Sequence, residues 1–213
     1  MPVAVKICGI NSEKAMEAAI EAGADYVGLV FFPPSPRFVT PAHAAELLQF
    51  LPEEMVKVGL FVDPDDALLD EVLCQVRLDM LQFHGRETPA RLDTIRLEYG
   101  IPVMKAIPVS TAEDLGAAEP FLSVADSLLF DAKPPKDAIL PGGNAASFDW
   151  TVLAGRRWSL PWMLAGGLTP ENVAEAIRVS GARAVDVSSG VESAPGIKDA
   201  ARIRAFVKAA KGA

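Results

Sequence analysis

Two cysteines, two histidines and no cluster of basic residues are what this chain has least of, and each scarcity removes a class of protein. Cys8 and Cys74 stand far apart, with no CxxC pair and no spacing that suits a metal, so neither a disulfide framework nor a zinc site is supported. Twenty Lys and Arg against 28 Asp and Glu leave a formal charge of −8, and nothing basic is gathered in one place. Nucleic acid and anionic membrane are therefore poor partners. The apolar runs are short. The longest, around Tyr26 to Phe32, could not span a bilayer, and MPVAVKICG is not a charged start leading into a greasy signal segment. A cytoplasmic protein is expected. No Ser/Gly-rich linker or charge run divides the chain, half of which is hydrophobic, so residues 1–213 are read as a single domain with a sizeable core.

What is present is alternation. Apolar runs rich in β-formers recur near Val3–Cys8, Tyr26–Phe32, Val56–Val62, Met80–His84, Pro102–Pro108, Ser127–Asp131, Trp162–Ala165 and Ala184–Ser188. Between them lie segments of helical period such as SEKAMEAAIEAG, PAHAAELLQFL, PDDALLDEVLCQV and PENVAEAIRVSG, several ending in a glycine that suits a left-handed cap. Strict β-then-α order over eight units predicts an α/β single-domain (β/α)8 TIM barrel, with a doubly wound open sheet as the alternative. The length is small for a barrel, so a long loop stands out. AKPPKDAILPGGNAASFDW, after the sixth run, reads as a substrate loop or lid.

Two turns near the end of the chain carry the first chemical signal. LAGGLTPENV places Gly166 and Gly167 after one apolar run, and AVDVSSGVE places Ser188, Ser189 and Gly190 after the next. Residues without bulk leave backbone N–H groups open to an anion, and barrels build phosphate cradles from the turns after strands seven and eight. A small phosphorylated substrate follows. Thr169-Pro170-Glu171 reads as N-cap, first-turn proline and first-turn carboxylate of the next helix.

Barrel chemistry belongs to strand ends, where Cys8, Asp131 and Asp186 stand. Alternation sends Lys6 and Cys8 into the barrel and Val5 and Ile7 toward the helices; the same parity turns Asp131 inward and Phe130 outward. Cys8 is either a small packing residue or catalytic. Asp131 is either one half of an ion pair with Lys133 or Lys6, or a working carboxyl group. His84 ends the fourth run beside Gln82 and either touches substrate or packs. His43 is expected exposed, Cys74 packed in the core, and Asp63-Pro64-Asp65-Asp66 at a helix start.

KICGI (6–10), GADYVGLVFFPPSPRFV (23–39), VGLFVD (58–63), QFHG (82–85), DAK (131–133), PGG and FDW (141–150), LAGGLTPENV and VDVSSGVESAPGIKD resemble, in this order, the phosphoribosylanthranilate isomerase family of tryptophan biosynthesis. The resemblance implies a barrel that converts N-(5-phosphoribosyl)anthranilate to 1-(2-carboxyphenylamino)-1-deoxyribulose 5-phosphate by an Amadori rearrangement, with neither cofactor nor metal. It places the family's catalytic cysteine on Cys8 and catalytic aspartate on Asp131, its substrate-positioning arginine on Arg37 and its strand-eight aspartate on Asp186. Asp131 is then the general acid, a carboxyl kept protonated in a partly dry site, and Cys8 the general base, its thiol lowered by Lys6 or by backbone dipoles. Arg37 offers its fork to the anthranilate carboxylate. The chain departs from the family where GGTG is usual and Gly142-Gly143-Asn144-Ala145 stands, which bears on loop ordering, and where QFHG replaces QLHG. Monomer and homodimer are both left open.

Rival readings make their own demands. A metal-dependent epimerase wants several strand-end histidines, and only His84 stands at one. The related histidine-pathway isomerase wants a second phosphate cradle, which neither VGLFVD nor LQFHG supplies. A barrel that binds phosphate without chemistry has no use for both Cys8 and Asp131.

Overall fold

Because the hydrophobic period switches repeatedly between two and 3.6, short strands alternate with short helices along the chain. The computed structural model describes residues 3–49, 51–134, 142–143 and 147–213. Its elements run β1 (Ala4–Cys8), α1 (Glu13–Ala22), β2 (Tyr26–Val30), α2 (Pro41–Leu48), β3 (Val56–Phe61), α3 (Asp66–Leu73), β4 (Met80–Phe83), α4 (Pro89–Tyr99), β5 (Val103–Val109), β6 (Ser127–Ala132), β7 (Trp162–Leu164), α5 (Val173–Ser180) and β8 (Ala184–Val187). A hairpin of β9 (Glu192–Ala194) and β10 (Ile197–Lys198) precedes α6 (Ala200–Lys211). Strands β1 to β8 are parallel neighbours in sequence order, and β1 pairs with β8 to close the barrel.

Side-chain parity divides the interior in two. Val5, Ile7, Leu81, Phe83 and Phe130 face outward into the layer under the helices. Met104, Ala106, Leu129, Met163 and Ala165 face inward and fill the lumen. The β1–β8 ladder sets Lys6 opposite Asp186, which places both charges inside the barrel near its C-terminal end.

Four local expectations are corrected. Two of the connecting helices are 3-10 rather than α: Ala112–Phe121 contains Gly116 and Pro120, which weaken or remove helical hydrogen bonds, and among the described residues between β6 and β7 only Trp150–Leu153 is helical. The helix after β7 starts at Val173, not at Thr169; Asn172 flanks it, while Thr169 Oγ1 accepts from Glu171 N in a turn. Cys74 is exposed, because Leu69, Val72 and Val76 form the buried stripe and residue 74 falls on the other side. Asp65 is the N-cap of α3, but Asp63 lies outside it with a φ of +46°, accepting from Arg86 N. Among the described residues no helix is long and apolar enough to cross a membrane.

Candidate active site

The C-terminal ends of the strands surround a cavity of about 780 Å³ that opens to solvent. Cys8, Arg37, His84, Asp131, Gly166, Gly167, Asp186, Ser188, Ser189 and Gly190, all singled out from the sequence, line it, whereas His43 and Cys74 do not.

On one side β1 and β8 supply a buried charged group. Lys6 Nζ donates to Asp186 Oδ1 at 2.9 Å, and the Lys6 side chain is wholly buried. Gly28 of β2 makes the room, since a Cβ there would lie 3.0 Å from both Cys8 Sγ and Lys6 Nζ. Burial works against the Lys6 charge, but Asp186, helped by Cys8, outweighs it and holds the ammonium above its ordinary range. Cys8 goes the other way from expectation. Burial pushes its thiol above the ordinary range, and the pull of Lys6 is offset in part by the charge of Asp186.

Across the lumen, β6 presents Asp131. Its Oδ1 accepts from Ala132 N at 2.8 Å, and its Oδ2 lies 3.1 Å from His84 Nε2. The alternative ion pairs do not form: Lys133 binds Asp114 and Lys6 binds Asp186. Gln82 Nε2 lies 3.3 Å from His84 Nδ1, and among the described residues Gln82 Oε1 is buried without a hydrogen-bond partner. His43 is partly exposed on α2, its Nε2 against Asn11 O.

The two small-residue turns meet at the ends of β7 and β8. Gly166 and Gly167 have φ of +87° and +63°, conformations that side chains disfavour, and Asn172 Nδ2 fixes the second turn peptide by donating to Gly167 O at 2.9 Å. Gly190 lies so close to the Leu168 carbonyl that no Cβ fits. The glycines thus serve both the backbone path and the approach of the turns.

Arg37 is set by the return of its loop to β2, where Val39 N donates to Val30 O and Ser35 Oγ accepts from Arg37 N. Its Nε and Nη2 donate to Glu192 Oε1 and Oε2 at 2.7 and 2.9 Å, and its Nη2 also reaches Gly143 O at 3.3 Å. Lys198 Nζ donates to Glu192 Oε1 at 2.7 Å, to Ser188 O at 3.0 Å and to Ser188 Oγ at 3.3 Å. Burial raises Glu192, yet the Arg37 hydrogen bond and the Lys198 charge outweigh it and leave the carboxyl below its ordinary range. For Lys198 burial prevails over the attraction of Glu192, and the ammonium sits below its ordinary range.

Glu192, Lys198 and Gly28 escaped the sequence reading. A glycine inside a strand signals a close approach and could have found Gly28; Glu192 and Lys198 look like ordinary charges of a surface hairpin until the fold buries them. In the long loop after β6, Gly142 and Gly143 line the cavity, while Asn144 and Ala145, where the chain departs from the family pattern, fall outside the described residues. Among the described residues no three of His, Cys, Asp and Glu are grouped as metal ligands.

Comparison with known proteins gives one answer. Residues 5–209 match the family model described as N-(5'phosphoribosyl)anthranilate (PRA) isomerase. The N-(5'-phosphoribosyl)anthranilate isomerase of Paramagnetospirillum magneticum is 74% identical over 212 residues, covering 100% of this chain and 99% of the relative. The crystal structure of phosphoribosyl anthranilate isomerase from Thermotoga maritima superposes with a TM-score of 0.88 at 38% identity, over 99% of this chain and 100% of that one. A phosphoribosyl anthranilate isomerase in complex with reduced 1-(o-carboxyphenylamino)-1-deoxyribulose 5-phosphate gives 0.83 at 36% identity, over 99% and 100%.

Proposed function

The chain belongs to the N-(5'-phosphoribosyl)anthranilate isomerase family, and on that premise we propose that Cys8 and Asp131 carry out its Amadori rearrangement as general base and general acid. The observation that carries this assignment is their shared cavity: Cys8 on β1 and Asp131 on β6 line it together with the glycine and serine turns and Arg37. A phosphate in the turns and a carboxylate at Arg37 fix the two ends of the substrate, so the ribose is held between base and acid. The barrel of residues 1–213 is the working unit. Monomer and homodimer alike retain the site, since its named residues all come from one chain.

The first step is ring opening. Asp131 gives a proton to the ribose ring oxygen as the C1′–O bond breaks, and the anthranilate nitrogen donates its lone pair to form an iminium. Gln82 Nε2 lies 3.3 Å from His84 Nδ1 and His84 Nε2 lies 3.1 Å from Asp131 Oδ2, so Gln82 orients the imidazole that touches the acid. In the second step the thiolate form of Cys8, a minor form because burial raises the thiol, removes the C2′ proton, now acidified by the adjacent iminium. The electron pair neutralises the nitrogen, and the resulting enolamine tautomerises to the ketone. Atoms and charge balance without an external oxidant or reductant. Lys6 supplies the positive charge beside the thiolate, while Asp186 keeps that ammonium charged and in place.

The loop after β6 is suited to cover the substrate. A Cβ on Gly142 would lie 2.8 Å from both Asp131 Oδ2 and His84 Nε2, so this part of the loop passes directly over the acid. Steady-state assay of the isomerisation tests the assignment. Cys8→Ser and Asp131→Asn should each lower turnover by about 10²-fold or more, the scale of a lost base or acid, with bound product analogue retained. Near-parental turnover in either variant would remove that residue from the mechanism.

A further inference from the structure

The Arg37 guanidinium is held by a carboxylate that has no hydrogen-bonding capacity left. Each oxygen of Glu192 accepts two donors: Oε1 takes Arg37 Nε and Lys198 Nζ, and Oε2 takes Arg37 Nη2 and, at 3.2 Å, Gly196 N. The three side chains are 6%, 4% and 0% exposed for Arg37, Glu192 and Lys198, so these bonds form away from water. The stem of Arg37 is pinned as well, because a Cβ on Gly9 would lie 2.6 Å from its Cδ. The Nε–Nη2 edge is taken by Glu192, and Nη2 also donates to Gly143 O, so the donors left at the cavity end of the guanidinium are those of Nη1. Among the described residues Nη1 has no hydrogen-bond partner, and this end meets Gly143 at the cavity.

Charge counting gives Lys198 its part. An isolated Arg37–Glu192 pair would present donors but no net charge to an incoming anion. The second cation leaves the cluster at +1, and its remaining bonds tie the cluster to Ser188 in the turn after β8. A desolvated carboxylate is bound well only where charge and fork geometry are both supplied.

We infer that Glu192 and Lys198 are positioning residues for carboxylate recognition: Glu192 aims the Arg37 fork, and Lys198 keeps the cluster cationic while coupling it to the phosphate turn. The inference rests on Arg37 being the carboxylate ligand. Its test compares two probes, reduced 1-(o-carboxyphenylamino)-1-deoxyribulose 5-phosphate and the same molecule with phenyl in place of carboxyphenyl, by calorimetric titration. The parent should prefer the carboxylate-bearing probe, and Arg37→Ala should abolish that preference.

Glu192→Gln places an amide N–H₂ against existing donors and should cut the preference by about 10-fold or more, while affinity for the phenyl probe changes far less. Lys198→Met should narrow the preference too and also weaken both probes through the lost Ser188 contacts. A folding defect lowers both affinities together and leaves their ratio alone; if Glu192→Gln does not fold, Lys198→Met carries the same readout. Preference retained in Arg37→Ala would remove the Arg37 assignment. Preference lost in Arg37→Ala but intact in the folded Glu192 and Lys198 variants would overturn the inference itself.

Discussion

Replacing Gly190 with alanine should weaken substrate binding far more than it slows chemistry. The backbone φ of Gly190 is not positive, so an alanine there meets no left-handed penalty; the obstacle is proximity alone. A Cβ would lie 1.8 Å from the Leu168 carbonyl oxygen, against the 3.0 Å below which real Cβ contacts essentially never fall. The turns after β7 and β8 must therefore part by about 1 Å, which is enough to take at least one backbone N–H out of range of a phosphate oxygen. A hydrogen bond to a charged group contributes about 1.5–3 kcal/mol, so losing one raises KM by roughly 10- to 150-fold. Overpacking should also cost about 1–3 kcal/mol of stability. The Cys8–Asp131 pair lies outside the displaced segment, and kcat should stay within a few-fold of the parent.

Gly166 provides the internal contrast. Its φ of +87° is itself unfavourable for alanine, and its Cβ would lie 2.5 Å from Ala132 N, the group that holds Asp131 Oδ1. Gly166→Ala should therefore damage kcat as well as KM. Steady-state kinetics with competition by inorganic phosphate, together with thermal unfolding, separates the two variants. A Gly190→Ala enzyme with parental KM and parental phosphate inhibition would refute the placement of the phosphate between these turns, as would a fall in kcat alone.

Two further outcomes follow from the acid–base groups. In a Cys74→Ser background, which removes the exposed thiol, alkylation of Cys8 by iodoacetamide should accelerate with a midpoint above the ordinary thiol value, because burial raises the thiol. By linkage the folded state should lose stability as pH climbs past that value, since the unfolded chain releases its thiol proton first; an alkylation midpoint in the neutral range would contradict the buried environment. Gln82→Leu, which takes away the partner of His84 Nδ1, should lower kcat by about 3- to 10-fold, the scale of one hydrogen bond, with KM near parental; unchanged kcat would show that Gln82 does not set the His84–Asp131 contact.

The barrel was legible because most strand–helix units announce themselves by a change of period, the two 3-10 connections aside, and strand parity alone points Cys8 and Asp131 into the same lumen. Prediction failed where a residue's environment depends on chain segments distant in sequence. The shift of Cys8 is one such case: the sequence places a cation beside the thiol but cannot weigh that cation against desolvation, or against Asp186 across the β1–β8 ladder. Cys74 fails for a smaller reason, since a run of apolar residues around a helix end does not say which of them the stripe leaves outside. The late start of α5 was not legible because the Asn172 side chain, which makes no cap bond to the helix, closes the turn before it by donating to Gly167 O and accepting from Thr169 N, contacts that only the folded turn brings within reach.

Arg37, Glu192 and Lys198 show how deep this limit goes. Arg37 is 155 residues from Glu192 in sequence, and nothing local marks the hairpin after β8 as buried. Yet the hairpin follows directly from the phosphate turn, so the chain that carries Ser188 and Gly190 continues into the carboxylate that holds Arg37. On the proposed reading the two ends of the substrate meet one continuous stretch, Ser188 to Lys198, braced on a loop from the other side of β1. A displacement of this stretch moves the phosphate turn and the arginine fork together. Under the proposed assignment the distance between phosphate and carboxylate is a property of the fold rather than of two independent loops, and it would set which substrates place their ribose between Cys8 and Asp131.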